Sequence, residues 1–333
     1  MSREPGGPVL CCPDKFRGSL TASAAADALA AGVGRAGRAA VTLPLADGGE
    51  GTLDVLCPDR GDRRRARVTG PLGAPVEAEW GLRDGTAVVE MARASGLALV
   101  GAANDPWHAS TTGTGELLAE ALAARPDRVI VAVGGSATTD GGLGALEALG
   151  FALGDIEVLV ACDVTTTFVD AARTYGPQKG ATPDAIARLE ARLEALADRY
   201  RERFGVDVRD LPGAGAAGGL AGGLAAAGAR LVPGAPLVAE LAGLPAALDG
   251  ASLVLTGEGR LDATSFAGKV VGHALAEARR AGVPAAVVAG DVVRGELPAG
   301  VRAVSLVERS GSAAVAHVDA ASLVADAAAE LAG

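Results

Sequence analysis

Glycine and hydroxyl residues crowd the stretch VAVGGSATTDGGLGALEALG, residues 131–150, between an apolar run and a helical pattern. Such a segment is either a tight turn or a nest of main-chain N–H groups for an anion. Amides ahead of a helix point outward, and the helix dipole favours negative charge there. The same device recurs at 47–52 (DGGEGT), 110–116 (STTGTGE), 213–219 and 257–259. Any one of these is explained as a turn. Their recurrence at strand ends falls on the edge where α/β folds bind ligands. Acids stand beside the same loops: Asp47 and Glu50, Asp140, Asp163, and Glu258 with Asp262 around Gly259 and Arg260. One such acid alone is explained by capping or turn formation. As a set they suit Mg²⁺, which takes one or two carboxylates together with phosphate oxygens. Of 30 basic residues only Lys15, Lys179 and Lys269 are lysine, each in a glycine-containing motif. Codon bias would leave such survivors, and so would a need for a compact ammonium at a phosphate. Anion cradles, carboxylates for Mg²⁺ and a cation or acid at the acceptor hydroxyl are what phosphoryl transfer requires.

Two familiar motifs are rejected. Residues 213–218, GAGAAG, match G-x-G-x-x-G, but the preceding DVRDLP is a poor buried strand, and the dinucleotide fingerprint needs that strand. Gly268-Lys269 is no P-loop, because Ala263 and Val270 stand where Gly and Ser/Thr are required.

The elements that must carry these loops read as α/β. Residues 8–12 form a first strand, 19–37 a helix, and 39–56 a second strand, a glycine turn and a helix, which is the grammar of a parallel sheet. An arginine run at 60–67 is a solvated linker or strand edge. Residues 65–95 alternate and turn at Pro71, Gly73 and Asp84-Gly85 as an antiparallel meander. A helix near 113–124, strands at 128–133 and 155–164, and a helix capped by Thr182 with Pro183 at its first position follow. On that helix Ile186, Leu189, Leu193, Leu196 and Tyr200 form one apolar face. From 251 the strand–helix alternation returns. Residues 1–65 plus 250–333 are therefore expected to form one parallel-sheet domain and 66–249 an inserted α+β domain, with a cleft between them.

Bulk properties narrow the partners. The 333 residues are 49% apolar but only 3% aromatic, so the core is Ala, Val and Leu, and the net charge of −10 argues against nucleic acid. The N-terminal MSREPGGPVLCCPDKF lacks the apolar run of a signal peptide. Cys11, Cys12, Cys57 and Cys162 form no C-x-x-C pair and read as free thiols of a reducing compartment. His108, His273 and His317 are scattered. Residues 211–229 carry no charge but are mostly Gly and Ala, a glycine loop and packed helix rather than a membrane span. The expectation is a cytoplasmic protein with no nucleic-acid or membrane partner, and a homodimer is left open.

The segments PDKFRGSL (13–20), LADGGEGT (45–52), GGSATTDGG (134–142), ACDVT (161–165), GPQKGA (176–181), PGAGAAGGL (212–220) and TGEGRLD (256–262) with Gly268-Lys269 resemble, in order, the bacterial glycerate kinase type-1 family. The chain departs from that pattern at Lys15 and Arg17, where PDSFKGS has Ser and Lys, and in abbreviated segments between 151 and 176. The resemblance implies a two-domain α/β kinase, one domain flavodoxin-like and the other specific to the family. It would transfer phosphate from ATP with Mg²⁺ to D-glycerate or a similar hydroxy acid, at the 2-hydroxyl or the 3-hydroxyl. In that reading Gly134, Gly135, Ser136, Thr138, Gly215, Gly218 and Gly219 cradle phosphate. Lys15 and Arg17 hold the substrate, with Ser19, Glu50, Lys179 and Arg260 beside it. Asp47 activates the hydroxyl or binds metal, with Asp163 its rival. Glu258, Asp262 and Asp140 meet Mg²⁺, and Lys179 and Lys269 offset developing charge. The rivals are a paralogue that binds a small anionic metabolite without transferring phosphate, and a dinucleotide oxidoreductase resting on 213–218 alone.

Overall fold

The computed structural model describes residues 6–293, 297–298 and 300–333. The chain divides into two compact units, Met1–Asp47 with Ala235–Gly333, and Gly48–Gly234. Unit 1 opens with β1 (Val9–Cys11), α1 (Ala22–Arg35) and β2 (Ala40–Thr42). Unit 2 begins with α2 (Thr52–Leu56), β3 (Arg63–Thr69), β4 (Pro75–Arg83), β5 (Thr86–Glu90) and α3 (Ala92–Ser95). It continues through α4 (Thr112–Ala123), β6 (Arg128–Ala132), α5 (Leu143–Ala148) and β7 (Glu157–Ala161). It ends with α6 (Ala171–Tyr175), α7 (Pro183–Phe204), α8 (Leu220–Ala226) and β8 (Arg230–Val232). The chain returns to unit 1 with α9 (Gly234–Ala242), α10 (Leu244–Leu248), β9 (Leu253–Leu261), α11 (Val270–Arg280) and β10 (Ala285–Val292). β11 (Arg302–Ser305), α12 (Leu306–Ser310), α13 (Ala313–Val318) and α14 (Ala320–Ala332) complete it.

The sheet of unit 1 runs β11-β10-β9-β1-β2 and is parallel throughout. Counted within the unit this is the doubly wound order 2-1-3-4-5 read backwards, the flavodoxin-like topology. The strand alternation sorts its two cores. Val9 and Cys11 pack with Leu29 and Val33 of α1 and Val324 and Ala328 of α14. Leu10 and Cys12, pointing the other way, pack with Ala239 of α9, Leu248 of α10 and Ala274 of α11.

The sheet of unit 2 runs β3-β4-β5-β6-β7-β8, antiparallel at β3–β4–β5 and parallel from β5 to β8. The antiparallel meander therefore forms as the turn residues require. Leu189, Leu193, Leu196 and Tyr200 of α7 are buried as one face, and Thr182 Oγ1 accepts the Ala185 N–H at 3.3 Å as the cap. The loops after β5, β6, β7 and β8 share one carboxyl edge because those strands are parallel.

The compact units have other bounds than the expected domains, and the arginine run takes the strand-edge alternative of its two readings. The units divide at 47/48 and 234/235, not at 65/66 and 249/250. The reason is that α2 and the arginine run belong to unit 2. The Leu53 N–H donates to Glu90 at 2.7 Å, and Asp54 pairs with Arg63 at 2.8 Å and Arg93 at 3.0 Å. The arginine run is the edge strand β3. β8, α9 and α10 lay outside the sequence reading. All four cysteines are free, and among the described residues no helix is long and apolar enough to cross a membrane.

Candidate active site

In unit 1 the strand order reverses between β1 and β9, and such a switch point leaves a crevice at the carboxyl ends of the two strands. The chain emerging from β1 stays alongside β9. The Cys12 and Asp14 N–H groups donate to the Leu255 and Gly257 carbonyls, both at 2.8 Å, and Thr256 Oγ1 donates to Cys12 O at 2.9 Å. This rail carries Asp14 beside the end of β9 that bears Glu258. Asp14 is only 8% exposed, and one of its oxygens accepts the main-chain N–H of Lys15 at 2.7 Å. The Lys15 ammonium lies 3.9 Å from Asp47. Lys269, at the N-cap of α11, acts electrostatically on both Asp14 and Glu258. One of the Glu258 oxygens is buried without a hydrogen-bond partner.

These groups perturb one another. Burial raises the Asp14 carboxyl to about 6, reinforced by Asp47 and opposed by Lys15 and Lys269. Burial also lifts Glu258 to about 7, opposed by a hydrogen bond from Ser265 and reinforced by Asp14. Buried carboxylates with neighbours of both signs in an α/β crevice mark a functional site. Asp14 was not among the sequence candidates, although it lies in the motif that carried Lys15 and Arg17. Its only signal is position, an acid directly after an apolar strand. Arg17 and Arg260 are exposed, and Ser19 Oγ donates to Phe16 O at 3.2 Å within the turn after Lys15.

Unit 2 gathers a second set at the carboxyl edge of its parallel strands. The Val133 N–H donates to Gly48 O at 3.1 Å, which lays the 48–51 turn across the end of β6. A Cβ on Gly134 would press on Gly49, and one on Gly135 would run into the Glu50 carboxylate. Asp163, beyond β7, accepts the Gly234 N–H at 2.6 Å. Gly135 is the exposed point of the turn, and Ser136 and Thr138 lie buried behind it. Lys179 is not at the surface. It is 3% exposed, donates to Thr138 O at 2.6 Å and to Ser136 Oγ at 3.3 Å, and burial pulls its ammonium down to about 7. Asn104 Nδ2 donates to both Ala137 O and Lys179 O, tying the two loops together. Lys179 is thus built into the turn rather than presented to a ligand, and Asn104 is a supporting residue that the sequence did not reveal.

The second glycine loop has a different purpose from the one expected. Gly215, Gly218 and Gly219 are all buried. Gly218 adopts φ +69°, and a Cβ there would overlap the Thr138 carbonyl, while the Gly141 N–H donates to Gly218 O at 3.0 Å. These glycines let one backbone pack closely on another.

The three expected metal ligands are divided between the units, Glu258 and Asp262 in unit 1 and Asp140 in unit 2. Asp140 lies in unit 2, buried, with its carboxylate receiving Thr111 N, Thr111 Oγ1, Ser110 Oγ, Gly142 N and Gly144 N. Four of these donors converge on Oδ2 and the Gly142 N–H reaches Oδ1, so the carboxylate organises the turn. Asp262 lies in unit 1 and caps the helical turn Ala263–Phe266, where the Thr264 bonds hold its carboxyl below its ordinary value. Among the described residues no three His, Cys, Asp or Glu side chains are grouped to hold an ion.

A profile described as the Glycerate kinase family matches residues 9–158 and 151–333. The two matches meet where the chain reads as abbreviated. The glycerate 2-kinase of Escherichia coli K12 is 40% identical over 302 residues, covering 79% of each chain. The glycerate kinase of Bacillus subtilis 168 is 38% identical over 326 residues, covering 86% of this chain and 85% of its own. In three dimensions the fold superposes on a glycerate kinase 2 crystal structure from Salmonella typhimurium LT2 with a TM-score of 0.82 and 34% identity, covering 98% of this chain and 97% of the other. Agreement in sequence and in fold over nearly the whole length shows that the chain belongs to the glycerate kinase family and is an enzyme of that family.

Proposed function

We propose that the protein transfers the γ-phosphoryl group of ATP to the 2-hydroxyl of D-glycerate, giving 2-phosphoglycerate and ADP. The observation that carries this reading is the carboxylate–lysine cluster at the switch point of unit 1, found in a chain whose relatives are named glycerate kinases. The 2-position follows the name of the relative that specifies it.

In this proposal the acceptor occupies the unit 1 crevice. Lys15 and Arg17 take its carboxylate, and Lys269 offsets charge that builds on the transferring group. Asp47 keeps Lys15 in place through their ion pair. Taken by itself, the unit 2 turn is an anion cradle of the same kind, with Gly135 exposed, Ser136 buried behind it and the Glu50 carboxylate beside it. Lys179 sets the shape of that turn from within. Mg²⁺ enters with the nucleotide, bound to its phosphate oxygens, as that ion prefers.

The test is product position. After incubation with ATP, Mg²⁺ and D-glycerate, phosphorus NMR with proton coupling is expected to show a phosphate ester coupled to the single C2 proton. A resonance coupled to the two C3 protons would refute the 2-position. Binding without turnover for D-glycerate and related hydroxy acids would leave only an anion-binding paralogue.

A further inference from the structure

We propose that Asp14, rather than Asp47, accepts the proton of the acceptor hydroxyl, a role that rests on the phosphorylation reading above. Three geometric observations carry it. First, Asp14 stands at the topological switch point, on the segment that follows β1 and is hydrogen-bonded to β9. An acceptor bound in that crevice meets the carboxyl ends of β1 and β9 before anything else. Second, among the described residues Asp14 has no side-chain ion pair of its own. Its anchor is the Lys15 main-chain N–H. The Lys15 ammonium, by contrast, lies within ion-pairing distance of Asp47. Asp47 therefore serves best as the anchor of that lysine. Third, Asp14 is the more secluded of the two, 8% exposed as a residue against 27% for the Asp47 side chain. A base shielded from water keeps its proton affinity for the substrate.

The balance is simple. The acceptor O–H bond breaks and its proton passes to the Asp14 carboxylate as the acceptor oxygen bonds to the γ-phosphorus. The bond from that phosphorus to the β–γ bridging oxygen breaks, and its electron pair leaves with ADP. The charged and titratable groups facing Asp14 are Lys15 beside it, Asp47 after β2, Glu258 on β9 and Lys269 at the start of α11, with Asp262 further out. Burial and the Asp47 charge place its titration near 6, where a base is still ionised at neutral pH and retains useful basicity.

The experiment compares wild type, Asp14→Asn and Asp47→Asn by kcat and kcat/KM for D-glycerate across pH 5–9, with circular dichroism checking the fold. Wild type is expected to lose kcat/KM below about pH 6. Asp14→Asn should lower kcat roughly 100-fold or more, the range of general-base catalysis, with the KM for ATP little changed. Asp47→Asn should move the acid limb to lower pH, because a repelling charge beside Asp14 is gone, and this readout holds even if Asp14→Asn does not fold. A folded Asp14→Asn enzyme with kcat within about threefold of wild type would overturn the assignment, as would an acid limb unmoved in Asp47→Asn. Wild type without turnover on D-glycerate would instead overturn the kinase reading, and the assignment with it.

Discussion

Asp14 and Glu258 are carboxyl groups that the fold holds against its own stability. A carboxyl whose folded pKa lies above its unfolded value binds more protons in the folded state between the two values. Stability then falls as pH rises through that window. For Glu258 the window runs from the ordinary 4.5 to about 7. Glu258→Gln is therefore expected to raise Tm at pH 8, where wild type buries a charge, and to leave Tm nearly unchanged at pH 4, where both side chains are neutral. Thermal melts at the two pH values check this, and a lower Tm for the variant at pH 8 would count against it. At this scale the residue pattern singled out Lys15, Asp47, Glu258 and Lys269, because each interrupts or flanks a glycine motif. It did not expose Asp14, whose neighbours are Pro13 and a strand. For Lys179 and Asp140 it marked the residue without its surroundings. Rarity marked the lysine and adjacent glycines marked the acid, but neither signal reports what surrounds a side chain. The lysine turns out to hold the turn from inside, and the acid to receive five donors.

Elements with long apolar runs or strong caps were legible, and short ones were not. β9, β10, α7 and α11 show their periods over 8 to 22 residues. β8 has three residues and exists through its parallel pairing with β7, a partnership across some 70 residues that no local pattern encodes. The unit boundary was misplaced for the same reason, since the helix α2 is joined to unit 2 by Glu90 and Arg93, far along the chain. The glycine loop 213–219 shows the converse ambiguity, because a nest for an anion and a close backbone crossing use the same residue. In this structure the loop makes a close backbone crossing, and this predicts that Gly218→Ala is destabilising. A side chain there must adopt a left-handed backbone and displace the Thr138 carbonyl. Strain of that kind costs about 1–3 kcal/mol. Urea denaturation is expected to show at least that loss, and the displaced 136–138 turn should raise the KM for ATP. A variant as stable as wild type would contradict this.

For the molecule as a whole, the doubly wound order of unit 1 was readable because both chain ends share one grammar and the middle does not. The resemblance to glycerate kinases was readable because its motifs recur in order along the chain, and the profile and structural matches support it. What no sequence pattern supplied was the distribution of the candidate carboxylates, which fall in two separate units and form no metal cage. EDTA is expected to abolish turnover by stripping Mg²⁺ from ATP while leaving the Tm of the free protein unchanged, since among the described residues no three His, Cys, Asp or Glu side chains are grouped to hold an ion. A drop in Tm on chelation would reveal a structural ion. The most direct test of the central claim is ADP release from ATP and Mg²⁺, followed with and without D-glycerate. The account predicts ADP formation that depends on D-glycerate and matches it mole for mole. ADP release that ignores D-glycerate, or no release with any hydroxy acid, would contradict it.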